Sequence, residues 1–251
     1  MSSLSDKTTI VVGSSRGLGH GIATALAEAG ASVVGVSRTA AALREPTNGA
    51  GRIQPEIEDA GDATVAARLL DYYEPEVVVL VAGASPHMRP LQQQTWETFS
   101  VNWRSDVRIT FQWLREALLK PLRPGSRVIV FSSAAALNPD GSPLSGGYAG
   151  AKTTQRLVTV YAQEEATRAG LDITFATVLP RFAPETGIGR AAVRSYAARA
   201  GVSVETFLQQ VDYDLLTPEI AGTALVGLVE ADAATVASAY VLTGAGLRTL
   251  P

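Results

Sequence analysis

Tyr148 and Lys152 stand four residues apart in a stretch, Gly147 to Ala169, that reads as helical. Residues so spaced share a helix face. A lysine cation beside a phenol favours the phenolate, which makes the phenol a usable acid or base near neutral pH. Such pairs are also common on solvated helix surfaces, so the pair alone does not decide. Ser132 and Ser133 close the apolar run Arg127–Phe131 and put hydroxyls where a crevice would open. Near the N-terminus lies Gly13-Ser14-Ser15-Arg16-Gly17-Leu18-Gly19. Gly13 permits a sharp turn. Gly17 and Gly19, having no Cβ, let a phosphate reach a helix start and let that helix pack close to a strand. Free N–H groups and the helix dipole favour an anion there. The spacing is G-x-x-x-G-x-G, not the commoner G-x-G-x-x-G, and a glycine-rich turn with no ligand is the competing reading.

Two cations accompany that turn. Arg38 follows the second apolar run directly, flanked by Ser37 and Thr39, and Arg16 lies in the turn itself. A dinucleotide with a free ribose 2′-hydroxyl wants an acidic acceptor about 20 residues past the glycines. An arginine there suits a 2′-phosphate, unless both arginines are simply solvated. Ala82-Gly83-Ala84-Ser85 is small enough to let a flat ring or ribose approach the backbone, or a helix pack on a strand.

The elements that must position these residues follow from apolar periodicity. Thr9–Val12, Ser32–Ser37, Arg52–Ile57, Val77–Val81, Arg127–Phe131, Ile173–Leu179 and a last strand around Tyr240-Val241-Leu242 read as strands. Val77–Val81 is apolar on both faces, as in a strand buried within a parallel sheet. Leu18, Ile22, Leu26 and Ala29 mark a helix that Gly30 stops. Ala40–Glu45, Ala63–Tyr73, Thr95–Lys120, Gly147–Ala169 and Pro218–Glu230 read as further helices, and Pro184–Gln210 as a helical insertion. Thr47–Gly51 reads as a turn-rich loop. Strands alternating with helices predict an α/β fold: a Rossmann-like, doubly wound parallel sheet with helices on both faces, one domain over residues 1–251. Ligands in such folds bind beyond the carboxyl ends of the strands.

Composition excludes several classes. The chain has 251 residues, 46% apolar and 18% charged, which suits a globular core and not disorder. A net charge of −3 with no dense basic cluster argues against nucleic acid. The absence of cysteine excludes disulfides and thiolate sites. Two distant histidines, His20 and His87, make a histidine-rich metal site unexpected, and no metal is expected. No run spans a bilayer and Met1–Asp6 shows no signal-peptide pattern, so no membrane association and a cytoplasmic location are expected.

Taken in order, these features resemble the short-chain dehydrogenase/reductase family in its single-domain form, over nearly the whole length. Gly13-x-x-x-Gly17-x-Gly19 is similar to its cofactor turn, Tyr148-Ala-Gly-Ala-Lys152 to its Y-x-x-x-K, Ser133 to its catalytic serine and Asn102 to its helix asparagine. The resemblance implies a catalytic set of Asn102, Ser133, Tyr148 and Lys152. Tyr148 would donate the proton and Ser133 orient the carbonyl. Lys152 would lower the cost of the phenolate and bind ribose hydroxyls, and Asn102 would hold a water linking Lys152 to solvent. The cofactor contacts it implies are Gly13, Ser15, Arg16, Gly17, Leu18, Gly19, Ser37, Arg38, Thr39, Glu56, Ile57, Ala82, Gly83, Ala84, Tyr148, Lys152, Pro180 and Thr186. His87, Ser133 and Phe182 would meet substrate. Residues 184–214 would form a lid; Arg181, Phe182, Tyr196, Phe207 and Tyr213 fall in or near it.

The sequence also departs from the family. Its N-N-A-G reads Leu80-Val81-Ala82-Gly83, its P-G reads Pro180-Arg181, and its D-G-G reads Thr243-Gly244-Ala245. The interval from Ser133 to Tyr148 is slightly long and holds Pro139–Pro143. Thr186 sits one residue later than the family threonine. The expectation is an oxidoreductase using NADP(H) to reduce a small-molecule ketone, aldehyde or quinone to an alcohol, assembled as a homodimer or homotetramer. A non-catalytic NADP(H)-binding sensor or scaffold is the alternative, and a dehydratase or epimerase on the same scaffold is a third reading.

Overall fold

Strand parity explains the two cores. In a computed structural model, which describes residues 4–39, 51–138 and 142–250, β1 (Thr8–Val12) sends Val11 to one face of the sheet and Ile10 and Val12 to the other. β4 (Val77–Leu80) does the same with Val77 and Val79 against Val78 and Leu80. Side chains alternate along a strand, so an unbroken apolar strand must be covered on both sides. One side is covered by α1 (Gly17–Glu28) and α8 (Pro218–Glu230). The other is covered by α2 (Ala63–Tyr73), α4 (Arg108–Leu119) and α5 (Gly146–Arg168).

With β2 (Ser32–Ser37), β3 (Arg52–Ile57), β5 (Ser126–Phe131), β6 (Ile173–Pro180), β7 (Ala239–Thr243) and β8 (Gly246–Thr249), the strands form one sheet ordered β3-β2-β1-β4-β5-β6-β7-β8. β1 to β7 are parallel. β3 is an edge strand, the place where a sheet tolerates Pro55. The strand order reverses between β1 and β4, and a crevice opens at the carboxyl ends there. α6 (Gly187–Ala200) and α7 (Val204–Gln209) fill the insertion before α8.

Three expectations are corrected or fall outside the described residues. The helix expected over Thr95–Lys120 is not continuous. Thr95 caps a short α3 (Trp96–Phe99) with a reciprocal box, a turn follows at Ser100, and Trp103–Val107 form a π-turn before α4. Tyr240–Leu242 are not the last strand: Thr243–Gly246 turn the chain back into β8, antiparallel to β7. The helix read at Ala40–Glu45 and most of the loop Thr47–Gly51 lie outside the described residues.

Candidate active site

The crevice is a cavity of about 840 Å³, lined at one end by the glycine turn and at the other by Ser133, Tyr148 and Lys152. At the first end, β1 and β4 come so close that a Cβ on Gly13 would lie 2.6 Å from the Ala82 nitrogen. Gly13 has φ +95°, a backbone that favours glycine. A Cβ on Gly19 would lie 2.2 Å from the Gly13 carbonyl oxygen, so the start of α1 sits directly on the turn. No side chain caps α1, and Ser15, Arg16, Gly17 and Leu18 at its start line the cavity, so the free N–H groups of its first turn belong to that end. That cradle fits the pyrophosphate of a dinucleotide on geometry and charge.

Arg16, Ser37 and Arg38 line the same end. Both arginines are exposed, and neither is ion-paired among the described residues. Thr39 does not line the cavity; its carbonyl accepts from the Ser37 hydroxyl at 2.7 Å. Glu56 and Ile57 do not reach it either. The Glu56 carboxylate accepts from the Tyr73 hydroxyl at 2.5 Å, and Ile57 faces solvent. Glu58, Asp59 and Ala60, just past the end of β3, line the wall instead. The cavity wall at β3 thus begins past the strand end and not at Glu56 and Ile57, the last two residues of the strand.

At the other end Ser133 follows β5 with an extended backbone, and its Oγ accepts from the Ala135 N–H at 3.2 Å, leaving the hydroxyl proton to donate elsewhere. Tyr148 is in the first turn of α5 and Lys152 one turn on, its Nζ 5.4 Å from the Tyr148 ring centre. Lys152 is buried. Burial works against its charge, but the charges of Asp106 and Tyr148 and the Asp106 hydrogen bond more than offset it, so its pKa is raised. Lys152 Nζ lies 3.0 Å from Asp106 Oδ2 and donates to Gln155 Oε1 at 2.8 Å.

Asn102 is fully buried and lies outside the large cavity. Its Nδ2 donates to the Ala84 carbonyl at 2.7 Å, and its Oδ1 has no partner among the described residues. It borders a second void of about 10 Å³, shared with Tyr148, His87 and Gln94. That is close to the space one water needs. His87 therefore stands beside this void and not in the large cavity. Ala82 and Gly83 line the cavity, whereas Ala84 turns both its N–H and its C=O to Asp106 and Asn102.

Pro180, Phe182 and Thr186 line the cavity. The Thr186 hydroxyl caps α6, accepting from the Gly189 N–H at 3.0 Å and donating to the Ala183 carbonyl at 2.9 Å. Its methyl packs 3.4 Å from where a Gly17 Cβ would stand. Phe182 packs on Phe207, with ring centres 5.9 Å apart, and Tyr196 stacks on Phe207 at 6.4 Å. The Tyr196 hydroxyl bonds Ser145 Oγ at 2.8 Å, which ties α6 to the start of α5. Arg181 lies 4.5 Å over the Tyr213 ring. Sequence reasoning missed Asp106, whose one signal is a carboxylate four residues after Asn102. Among the described residues no three acidic or histidine side chains converge on a metal site, and no helix is long and apolar enough to cross a membrane.

The sequence model described as short chain dehydrogenase matches residues 7–192. An uncharacterized oxidoreductase of Bacillus subtilis is 31% identical over 70% of this chain and 68% of its own length. A hydroxynaphthalene reductase-like protein of Metarhizium majus is 33% identical over 60% of this chain and 59% of its own. The L-xylulose reductase of Homo sapiens is 31% identical over 51% of this chain, and the chain spans only 54% of that relative's length. A short-chain type dehydrogenase/reductase from Mycobacterium ulcerans has the same fold, with a TM-score of 0.78 over 98% of this chain and 93% of that one at 23% identity.

Proposed function

This chain belongs to the short-chain dehydrogenase family of oxidoreductases, and we propose that it is an NADPH-dependent carbonyl reductase, run in reverse as an alcohol dehydrogenase. The observation that carries the reading is that Ser133, Tyr148 and Lys152 line the same cavity as the uncapped, glycine-lined start of α1. Reductases among the relatives support the direction of reaction. Arg16 and Arg38, exposed and without carboxylate partners among the described residues, support a 2′-phosphate over a free 2′-hydroxyl.

The glycine turn would hold the pyrophosphate, and Arg16 and Arg38 the adenosine phosphate. A nicotinamide cofactor held there would supply the hydride that the carbonyl carbon takes up. Ser133 donates a hydrogen bond to the carbonyl oxygen and fixes its direction. Tyr148 gives its hydroxyl proton to that oxygen as the C=O π bond breaks and its electron pair moves onto the oxygen. Lys152 stabilises the phenolate left behind. Asn102, with Oδ1 free of partners among the described residues and beside the small void, holds the water through which the proton is replaced.

Residues 184–214 serve as the lid, with the Phe182, Tyr196 and Phe207 rings giving an apolar wall to a partly apolar substrate. The protein assembles as a homodimer or homotetramer through α4 and α5, where Phe111, Leu157, Val160 and Tyr161 are exposed. Val158 packs inward against the core and plays no part in that face. A cytoplasmic location goes with this reading. The test is a panel of ketones, quinones and aldehydes with NADPH, followed by loss of nicotinamide absorbance. Turnover of at least one carbonyl is expected; none across the panel sinks the reading.

A further inference from the structure

Asp106 is a buried carboxylate that the mechanism above does not use. It is 1% exposed and stands in the π-turn Trp103–Val107. Its Oδ1 accepts the Ala84 N–H at 2.8 Å. Its Oδ2 lies 3.0 Å from Lys152 Nζ and accepts from Asn102 Nδ2 at 3.3 Å. Lys152 continues the network to Gln155, whose Nε2 donates to Thr110 Oγ1 at 2.6 Å and to the Asp106 carbonyl at 3.2 Å. A Cβ on Gly83 would lie 2.7 Å from Asp106 Oδ2, so the carboxylate fits only because the chain there is glycine.

The local fold makes this approach possible. Asn102 and Asp106 are four residues apart, a spacing that puts both on one side of a helical turn, and their side chains meet there. The Asp106 carboxylate then occupies the ground between the end of β4 and α5. Its bond to the Ala84 N–H braces a loop that follows Leu80-Val81-Ala82-Gly83, where no polar side chain is available to do so.

The charge matters as well as the bracing. A carboxylate with no exposure would be costly if unpaired, and so would the Lys152 ammonium. The ionisable groups acting on Lys152 are Asp106, from the π-turn, and Tyr148, from α5. The other groups that face Lys152 are neutral: the Phe131 carbonyl at the end of β5, at 3.5 Å, and Gln155 Oε1 on α5, at 2.8 Å. Lys152 therefore stands between one buried carboxylate and, 5.4 Å away, the centre of the Tyr148 ring. A nearby negative charge opposes the loss of a proton from Lys152.

We propose that Asp106 is a positioning residue of the catalytic network: it clamps Lys152 and Asn102 to the Ala84 loop and supplies the negative charge that Lys152 faces beside Tyr148. This rests on the carbonyl-reductase reading for its consequence in turnover but not for the titration itself. Reduction needs the protonated pair, so the alkaline limb of its pH profile reports the pair directly.

The experiment compares wild type with Asp106→Asn, which keeps the shape and removes the charge. The alkaline limb of kcat for carbonyl reduction should move to lower pH by roughly one to two units. The ultraviolet phenolate titration of the protein without cofactor or substrate, assigned to Tyr148 by difference with Tyr148→Phe, should move the same way. Asp106→Ser, smaller and also uncharged, should repeat both shifts. A folded variant with a superimposable pH profile and an unmoved phenolate titration overturns the proposal. So does failure of both variants to fold, which would leave Asp106 a brace only. Were wild type inactive toward every carbonyl, the phenolate titration alone would decide on Asp106, so the two failures are told apart.

Discussion

At the glycine-turn end of the cavity the walls are main chain and exposed arginines; at the Tyr148 end they are buried side chains tied to one another. The first end takes its shape from places where a Cβ would collide, at Gly13 and Gly19. Its charges, Arg16 and Arg38, stand in solvent and are screened. The second end depends on Asn102, Asp106, Lys152 and Gln155, all nearly inaccessible and linked by hydrogen bonds of 2.8 to 3.3 Å. A backbone cradle tolerates change in its exposed side chains, because those act one at a time. A buried polar network acts as a unit, and losing one member leaves partners unsatisfied.

The sharpest way to test the contrast is Tyr148→Phe. The substitution removes only the hydroxyl at the chemical end. Turnover should fall by roughly a hundredfold to ten-thousandfold, the usual scale of a lost general acid. NADPH affinity, measured by fluorescence titration, should stay within a few-fold of wild type, because the cradle is untouched. Wild-type-like reduction by this variant would break the division of labour between the two ends.

The sequence made these two ends legible to different degrees. Glycine spacing reports backbone collisions, so Gly13, Gly17 and Gly19 could be read directly. Strand parity and apolar periodicity gave β1, β2, β3, α2 and α8 with little or no displacement. The break in the Thr95–Lys120 helix was invisible, because apolar residues recur through it and a π-turn changes bonding, not composition. β8 was missed because Gly246–Thr249 is a short, half-exposed hairpin arm. Asp106 was missed because an acid on a helix reads as a solvated face; only the fold brings it against Lys152. Nothing in the sequence shows that Tyr73, on α2, holds the Glu56 carboxylate; only the packing of α2 beside β3 does.

A smaller effect is expected at the arginine end. Arg38→Asp should raise the KM for NADPH and shift the preference toward NADH by roughly tenfold to several hundredfold, since paired guanidinium–phosphate hydrogen bonds are lost and a repulsion is added. Among the described residues, the carboxylates that line the cavity are already engaged: Glu58 pairs with Arg68 at 2.5 Å and Asp59 accepts the Gly61 N–H at 2.9 Å. Rising ionic strength should weaken NADPH binding more than NADH binding. The measurement is kcat/KM for both cofactors with one carbonyl. An unchanged ratio would mean that Arg38 does not read the phosphate, and Arg16 would be tested next.

The smallest effect belongs to the outermost contact at that end, the Tyr73–Glu56 bond beside edge strand β3. Burial, then the hydrogen bond to Glu56 and the Glu56 charge, push the Tyr73 hydroxyl up from 10.0 to about 12. The site is largely solvated, so the bond should add only about half a kcal/mol or less to stability. The sign follows from linkage. A group whose folded pKa is raised contributes stability that is full below its unfolded value and lost as pH rises through the folded one. Below pH 10 wild type should therefore be slightly more stable than Tyr73→Phe. Between pH 10 and 12 the unfolded chain ionises Tyr73 first, and the difference should shrink. Lys152, also raised, titrates identically in both proteins and cancels in the comparison. Denaturant unfolding of the two proteins at neutral pH and across that alkaline window reads the difference. A gap that is large at neutral pH, or that stays constant to pH 12, would show that Tyr73 and Glu56 behave like the buried network and not like a solvated contact. The contrast between the two ends would then fail at its exposed edge.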